Sequence, residues 1–170
     1  QFWVLLGGVA STHGAATPIV KFQGVLIAFA KRNPTGTNDG SEVDHVGFVA
    51  RNGLELLKRL EAANIKVTMD TKTHGGYLYS PEGLKIEITE KPSLSTPIAF
   101  DSIQLLVPEP ATIPEMQAWY VKVFGAKTGV AADGTPIVTV PGGALRRTKA
   151  NSAVSPGGRG LDNFGFESRN

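Results

Sequence analysis

The sequence predicts an α+β fold made of small βαβββ modules in tandem, and three observations carry that prediction. Val-Asp-His-Val-Gly-Phe-Val-Ala-Arg-Asn at 43–52 recurs as Leu-Asp-Asn-Phe-Gly-Phe-Glu-Ser-Arg-Asn at 161–170. At almost the same spacing, Phe2-Trp-Val-Leu-Leu-Gly-Gly is echoed by Trp-Tyr-Val-Lys-Val-Phe-Gly ending at Gly125. Between these matches, hydrophobic periodicity switches from alternation to helical spacing and back to alternation, which gives the order β-α-β-β-β.

The elements follow in order. Gln1 begins inside a helix equivalent to the one at 115–124, and Gly24-Val-Leu-Ile-Ala28 has the pattern of a closing strand. The clearest module spans 43–90. Val43 to Val49 is a β-rich run ended by Arg51-Asn52-Gly53, and Asn52, with Glu55 three residues later, has the form of a helix N-cap. Leu54, Leu56, Leu57, Leu60 and Ala63 then form an apolar stripe, on a helix that Asn64 ends in a left-handed turn. Lys66–Met69, Gly76–Ser80 and Leu84–Thr89 are three strands, the last two separated by the turn Ser80-Pro81-Glu82-Gly83. A further copy starts at Phe100–Val107, continues in a helix capped by Thr112 with Glu115 behind it, stops at Gly125, and includes strands at Ile137–Val140 and Gly143–Thr148. By this arithmetic the chain is expected to be an excerpt of a longer array. The expected division is a first module pair at 1–95, with module one lacking its first strand and module two at 43–90, and a second pair at 96–170, with module three at 98–150 and the start of module four at 161–170.

Composition narrows the chemistry. Of 170 residues, 41% are hydrophobic and 19% charged, enough apolar material for packed cores. The formal charge of +2 is too small to argue for nucleic acid or acidic membranes as partners. Arg146, Arg147 and Lys149 are the compact basic cluster and are expected on a solvated edge strand rather than at an anion contact. The run at 2–10 resembles a signal-peptide core but has no positive residue before it, and no stretch approaches the roughly 18 apolar residues that span a bilayer. With no cysteine, there is no disulfide, thiolate nucleophile or sulfur ligand, so a metal would be held by His, Asp or Glu. The histidines are His13, His45 and His74.

Strand alternation selects among them. His45, Gly47 and Val49 share one face while Asp44, Val46 and Phe48 share the other; on the closing strand Ile86 and Ile88 oppose Lys85, Glu87 and Thr89. Phe48, Ile86 and Ile88 are the partners for the leucine stripe. His45 and Glu87 therefore fall together on the opposite face, placed to share one divalent metal ion.

The Val-Asp-His-Val-Gly-Phe-Val strand, the capped leucine-rich helix and Tyr-Leu-Tyr-Ser-Pro-Glu-Gly-Leu-Lys-Ile-Glu-Ile at 77–88 resemble the vicinal oxygen chelate superfamily, which includes glyoxalase I, bleomycin-resistance proteins, fosfomycin-resistance transferases and extradiol dioxygenases. The resemblance covers nearly the whole chain and implies four modules paired into cupped mixed sheets, the first and last truncated. It implies metal ligands on the first and last strands of each module: His45 and Glu87 in module two, with Ala28 where module one would place a carboxylate and a third ligand expected in a strand upstream of Gln1. Ser102, Arg147 and Asn163 then take the ligand places of the second pair, where a guanidinium would repel a dication and no metal is expected. Gln104, on the same strand face as Ser102, is a minor ligand candidate. The implied cofactor is Fe(II), Mn(II) or Zn(II), with open positions for two adjacent substrate oxygens. His74, Tyr77 and Tyr79 are the candidate catalytic proton-transfer groups. The expected function is a divalent-metal-dependent enzyme, dioxygenase-like or lyase/isomerase-like, acting on a small oxygenated substrate. The alternative is a metal-free small-ligand-binding protein of the bleomycin-resistance type, and a duplicated scaffold without chemistry is a third reading. A small molecule is the implied partner, and a homodimer, a bacterial cytoplasm and a periplasm all stay open.

Overall fold

A computed structural model describes residues 1–14, 17–109 and 112–166. Module one contributes α1 (Phe2–Leu6) and a three-stranded antiparallel sheet of β1 (Val9–His13), β2 (Thr17–Phe22) and β3 (Val25–Ala28). Module two runs β4 (Val43–Ala50), α2 (Gly53–Ala62), β5 (Val67–Asp70), β6 (Gly75–Tyr79) and β7 (Lys85–Glu90). Module three repeats the order with β8 (Ile98–Val107), α3 (Ile113–Phe124), β9 (Lys127–Val130), β10 (Pro136–Val140) and β11 (Gly143–Lys149). The βαβββ order expected for these two modules is thus the order observed.

Modules two and three form one eight-stranded sheet, β5-β6-β7-β4-β8-β11-β10-β9. In each, the first strand pairs in parallel with the last, β4 with β7 and β8 with β11, while β4 and β8 pair antiparallel at the centre. The sheet therefore runs across the expected division between 1–95 and 96–170. Module one docks against it by side-chain stacking, with Phe22 and Phe48 ring centroids 4.8 Å apart, and by the Phe100 amide donating to the Gln23 carbonyl at 2.9 Å. At that junction Gly24 and Gly142 meet backbone to backbone. A Cβ on Gly24 would lie 2.6 Å from the Gly142 carbonyl oxygen, and both residues have positive φ, +91° and +92°.

The helix side of the sheet holds the core. Leu56, Leu57 and Leu60 of α2 are buried with Phe48, Leu78, Ile86 and Ile88, as the stripe requires, whereas Ala63 is exposed. Asn64 takes the expected left-handed conformation (φ 62°), and so does Gly125 after α3 (φ 61°). Asn52 occupies the N-cap position, but its side chain makes no cap bond; the Gly53 amide donates to Glu90 Oε2 at 2.8 Å instead. The core under α3 is smaller, formed by Ala126, Val138 and Val140 with Tyr120 and Phe166.

Residues 161–166 form no strand, and 167–170 lie outside the described residues. The segment instead returns to the loop before β4, where fully buried Asn38 accepts from the Leu161 amide at 2.7 Å and donates to the Leu161 carbonyl at 3.0 Å. Backbone polarity that a ladder would have satisfied is met by a side chain here.

The basic cluster departs most from expectation. β11 lies between β8 and β10, so it is not an edge, and alternation sends its two arginines to opposite faces. Arg147 points to the helix side, is fully buried, and lies over the Tyr120 ring at 5.0 Å from its centroid. None of its guanidinium nitrogens has a hydrogen-bond partner among the described residues. Burial holds its pKa below the usual guanidinium value. Because desolvating an unpaired cation costs more than a cation–π contact returns, Arg147→Met is expected to be neutral or stabilising, by about 1–3 kcal/mol. Urea unfolding measures this directly, and a loss of stability would show that the guanidinium is compensated.

Candidate functional site

The face turned away from both helices carries the titratable groups, and one irregularity arranges them. The β4–β8 register shifts between Val43 and His45, so Asp44 drops out of the ladder as the extra residue of a bulge. Strict alternation would put Asp44 on the core side. The bulge lets its carboxylate turn to the imidazole of His45, with Nδ1 and Oδ2 2.7 Å apart. The other Asp44 oxygen accepts from the Gly40 amide at 2.8 Å.

With Nδ1 engaged, the free His45 edge is Nε2, which lies 3.6 Å from Glu87 Oε2. That is too long for a hydrogen bond. It is close to the roughly 3.0–3.4 Å that separates two donors bound to one ion at about 2.1 Å each. Glu87 is fixed from its other side by the Tyr77 hydroxyl, which donates to Oε1 at 2.9 Å. The Tyr77 ring meets the His45 ring edge-on at 5.7 Å between centroids. Lys85, in ladder register with His45, places Nζ 3.7 Å from Asp44 Oδ2 and 3.4 Å from Asp39 Oδ1.

These contacts set the protonation states. Burial works against charge on His45, yet its hydrogen bond to Asp44 and the fields of Glu87 and Asp44 outweigh it and raise its pKa above the ordinary 6.5. For Asp44, burial is opposed and overcome by His45, the Gly40 amide and Lys85, so its pKa falls. Glu87 is lowered first by His45, then, against burial, by Tyr77 and the charge of Arg146. Burial and the neighbouring Glu87 push Tyr77 up to about 12, so its hydroxyl stays a proton donor across the physiological range.

Tyr79 shares the face of Tyr77, but its hydroxyl donates to Asp39 Oδ2 at 2.7 Å and its side chain is largely exposed. His74 is not brought to this group. It sits in the β5–β6 turn with φ 52°, and its Nδ1 is 2.9 Å from Glu90 Oε1, the carboxylate that also caps α2. His13 lies in β1 of module one.

On the module-three side, Gln104 stands opposite His45 and Ser102 opposite Gly47 in the β4–β8 ladder. Gln104 Nε2 donates to Thr148 Oγ1 at 2.7 Å, which leaves the amide oxygen as its ligating atom. Glu87 registers with Gly47, and the residue that registers with Gln104 is Arg146. The counterpart of Glu87 is thus Arg146 and not Arg147, because a one-residue difference in a strand exchanges faces. Ala28 and Asn163 line a separate cavity of about 170 Å³, together with Trp3, Phe29, Leu84 and Leu161.

His45 and Glu87 fit a divalent cation as a nitrogen and a carboxylate donor, with Asp44 in the position of a carboxylate that orients a metal-bound imidazole. Among the described residues, no group of three or more His, Asp or Glu side chains converges to complete such a site. Asp44, Lys85 and Arg146 were not assigned to the site from sequence. No signal in the alternation marks the Asp44 bulge; the Asp-His pair itself was visible.

No family model and no curated protein sequence matches this chain. Solved structures do match in fold. A proposed dioxygenase from Bacillus subtilis superposes with a TM-score of 0.54 at 16% identity, covering 85% of this chain and 56% of that one. A glyoxalase I variant from Zea mays superposes with a TM-score of 0.58 at 12% identity, covering 82% of this chain and 56% of that one. The chain has the α+β fold of these glyoxalase and dioxygenase proteins and spans just over half their length. No helix is long and apolar enough to cross a membrane among the described residues.

The charge pattern predicts a pH signature. Since its folded pKa is raised, the stability from charged His45 is complete below its unfolded value of about 6.5 and is lost as pH rises through the folded value. Asp44 and Glu87, lowered, contribute above about pH 4–4.5 and lose their share as pH falls further. In metal-free protein, His45→Gln is therefore expected to destabilise more at about pH 5.5 than at about pH 9. Equal unfolding free-energy changes at both values would contradict this assignment.

Proposed function

We propose that His45 and Glu87 are two ligands of a divalent metal ion in an enzyme that binds a small substrate through adjacent oxygens, with dioxygenase-like or lyase/isomerase-like chemistry. The observation that carries this reading is the approach of His45 Nε2 to Glu87 Oε2, with each group held from behind, by Asp44 and by Tyr77. A nitrogen and an oxygen donor without thiolate suit Fe(II), Mn(II) or Zn(II). When bound, such an ion supplies Lewis acidity to oxygen atoms on which negative charge develops.

The chain's own groups have separable tasks. Asp44 keeps the imidazole in the tautomer that presents Nε2, and the Gly40 amide keeps Asp44 in place. Tyr77 holds one Glu87 oxygen so that the other faces His45, and its raised pKa makes it a hydrogen-bond donor rather than a base. Two protein ligands leave most of a coordination sphere for a further donor, for water and for substrate; the Gln104 amide oxygen is the nearest candidate in register.

One observation favours the alternative of metal-free ligand binding. Asp44, His45, Glu87 and Tyr77 already hold one another through one ion pair and the Tyr77 hydrogen bond, so the group has structural support without a metal.

Elemental analysis of protein purified without chelator separates the two. Near-stoichiometric metal that disappears in both His45→Ala and Glu87→Ala is expected. Failure to take up Fe(II), Mn(II) or Zn(II) when each is supplied leaves the metal-free reading. A subtler expectation concerns Asp44→Asn, which keeps shape but loses the charge behind the imidazole. Metal affinity should fall about 10–100-fold with the fold intact by circular dichroism, and unchanged affinity would remove Asp44 from the site.

A further inference from the structure

The ladder register lays out the helix-free face in rows. One row runs Lys85, His45, Gln104, Arg146 across β7, β4, β8 and β11; the next runs Tyr77, Glu87, Gly47, Ser102, Ala144 across β6, β7, β4, β8 and β11. The centre of the second row is a floor of small residues, Gly47, Ser102 and Ala144. It is a tight floor, since a Cβ on Gly47 would stand 2.7 Å from Ser102 Oγ. Side chains rise on both sides of it. On this face Glu87 and Tyr77 stand beside His45 on the module-two side, and Arg146 stands on the module-three side.

Arg146 is only partly exposed, and among the described residues its hydrogen bond is from Nη2 to Asp133 Oδ2 on the β9–β10 turn. Asp133 is itself more than half exposed, so water competes for that pair and the remaining edge of the guanidinium stays uncommitted. A guanidinium is permanently charged, and its planar fork matches a carboxylate through two parallel hydrogen bonds.

We infer that Arg146 is the specificity residue of this site, binding the carboxylate of a substrate whose two adjacent oxygens are turned toward the metal that His45 and Glu87 would hold. This deepens the function proposed above and rests on it. The pseudo-symmetric place of a ligating glutamate has become an anion clamp, so the two halves of one sheet grip opposite ends of one molecule. The backbones of β4 and β11 are two ladder steps apart, roughly 10 Å. A carboxylate therefore belongs several bonds from the oxygen pair, after the reach of the arginine side chain is subtracted. A carboxylate monoanion fits better than a phosphate dianion, since Glu87 and Asp133 flank the same space.

Titration calorimetry with catechol and 3,4-dihydroxybenzoate tests this, using metal-loaded protein of wild type, Arg146→Met and Arg146→Lys. A parallel series on metal-free protein uses benzoate against benzyl alcohol, so that Arg146 is read whether or not metal is held. In wild type, the carboxylated member is expected to bind about tenfold tighter than its uncharged counterpart. The advantage should vanish in Arg146→Met and persist in part in Arg146→Lys, with metal content equal in all three. Equal affinity for charged and uncharged probes in wild type, or a preference that survives in Arg146→Met, overturns the role of Arg146. Loss of metal in His45→Ala and Glu87→Ala alongside either result leaves the metal reading standing, so the two failures are distinguishable.

Discussion

The antiparallel pairing of β4 with β8 is the constraint on which the rest of the structure depends. It joins two modules that could each close only half a sheet, and it fixes which residues of the two stand opposite one another. The bulge in that pairing has an equally specific effect. Without the extra residue at Asp44, the carboxylate behind His45 would face the leucines of α2, where an unpaired charge is expensive to bury. With it, a charged group that alternation assigns to the core is delivered to the polar face, and the imidazole gains an orienting partner.

Much of this was legible in the sequence and some could not have been. Modules two and three were readable because each level agreed: Leu56, Leu57 and Leu60 at helical spacing, Asn64 and Gly125 where the backbone turns left-handed, alternation in β7. His45 and Glu87 could be placed on one face by counting, since a strand has period two. Counting failed where the period broke. Asp44 sits at a bulge; sequence order also matches Arg147 to Glu87, although the unbroken β8–β11 ladder gives that place to Arg146. Which modules share a sheet was not readable either, because edge-to-edge pairing leaves no periodic trace in a chain. The Leu161 to Phe166 repeat shows the complementary limit: a strand-like sequence forms no strand here, and the amide and carbonyl of its first residue are bound by Asn38.

The two halves of the sheet share an architecture and differ in electrostatics. Module two concentrates carboxylates around a histidine whose pKa they raise. Module three presents Ser102, Gln104 and Arg146 at corresponding ladder positions. The two halves of the sheet thus present one polarised surface rather than two equivalent ones, with a His-carboxylate group on one side and the Arg146 guanidinium on the other.

The adjacent arginines of β11 also bear on how the chain finds its register. If β11 slid by one residue along β8, Arg146 would enter the apolar side and Arg147 would emerge, leaving one guanidinium on each face as before. Charge cannot tell the two alignments apart. The distinction falls to Leu145, almost fully buried in the native register and expelled in the slipped one, a difference of about 2–3 kcal/mol. Alignment of β11 along β8 therefore rests on apolar burial and not on the placement of its charges.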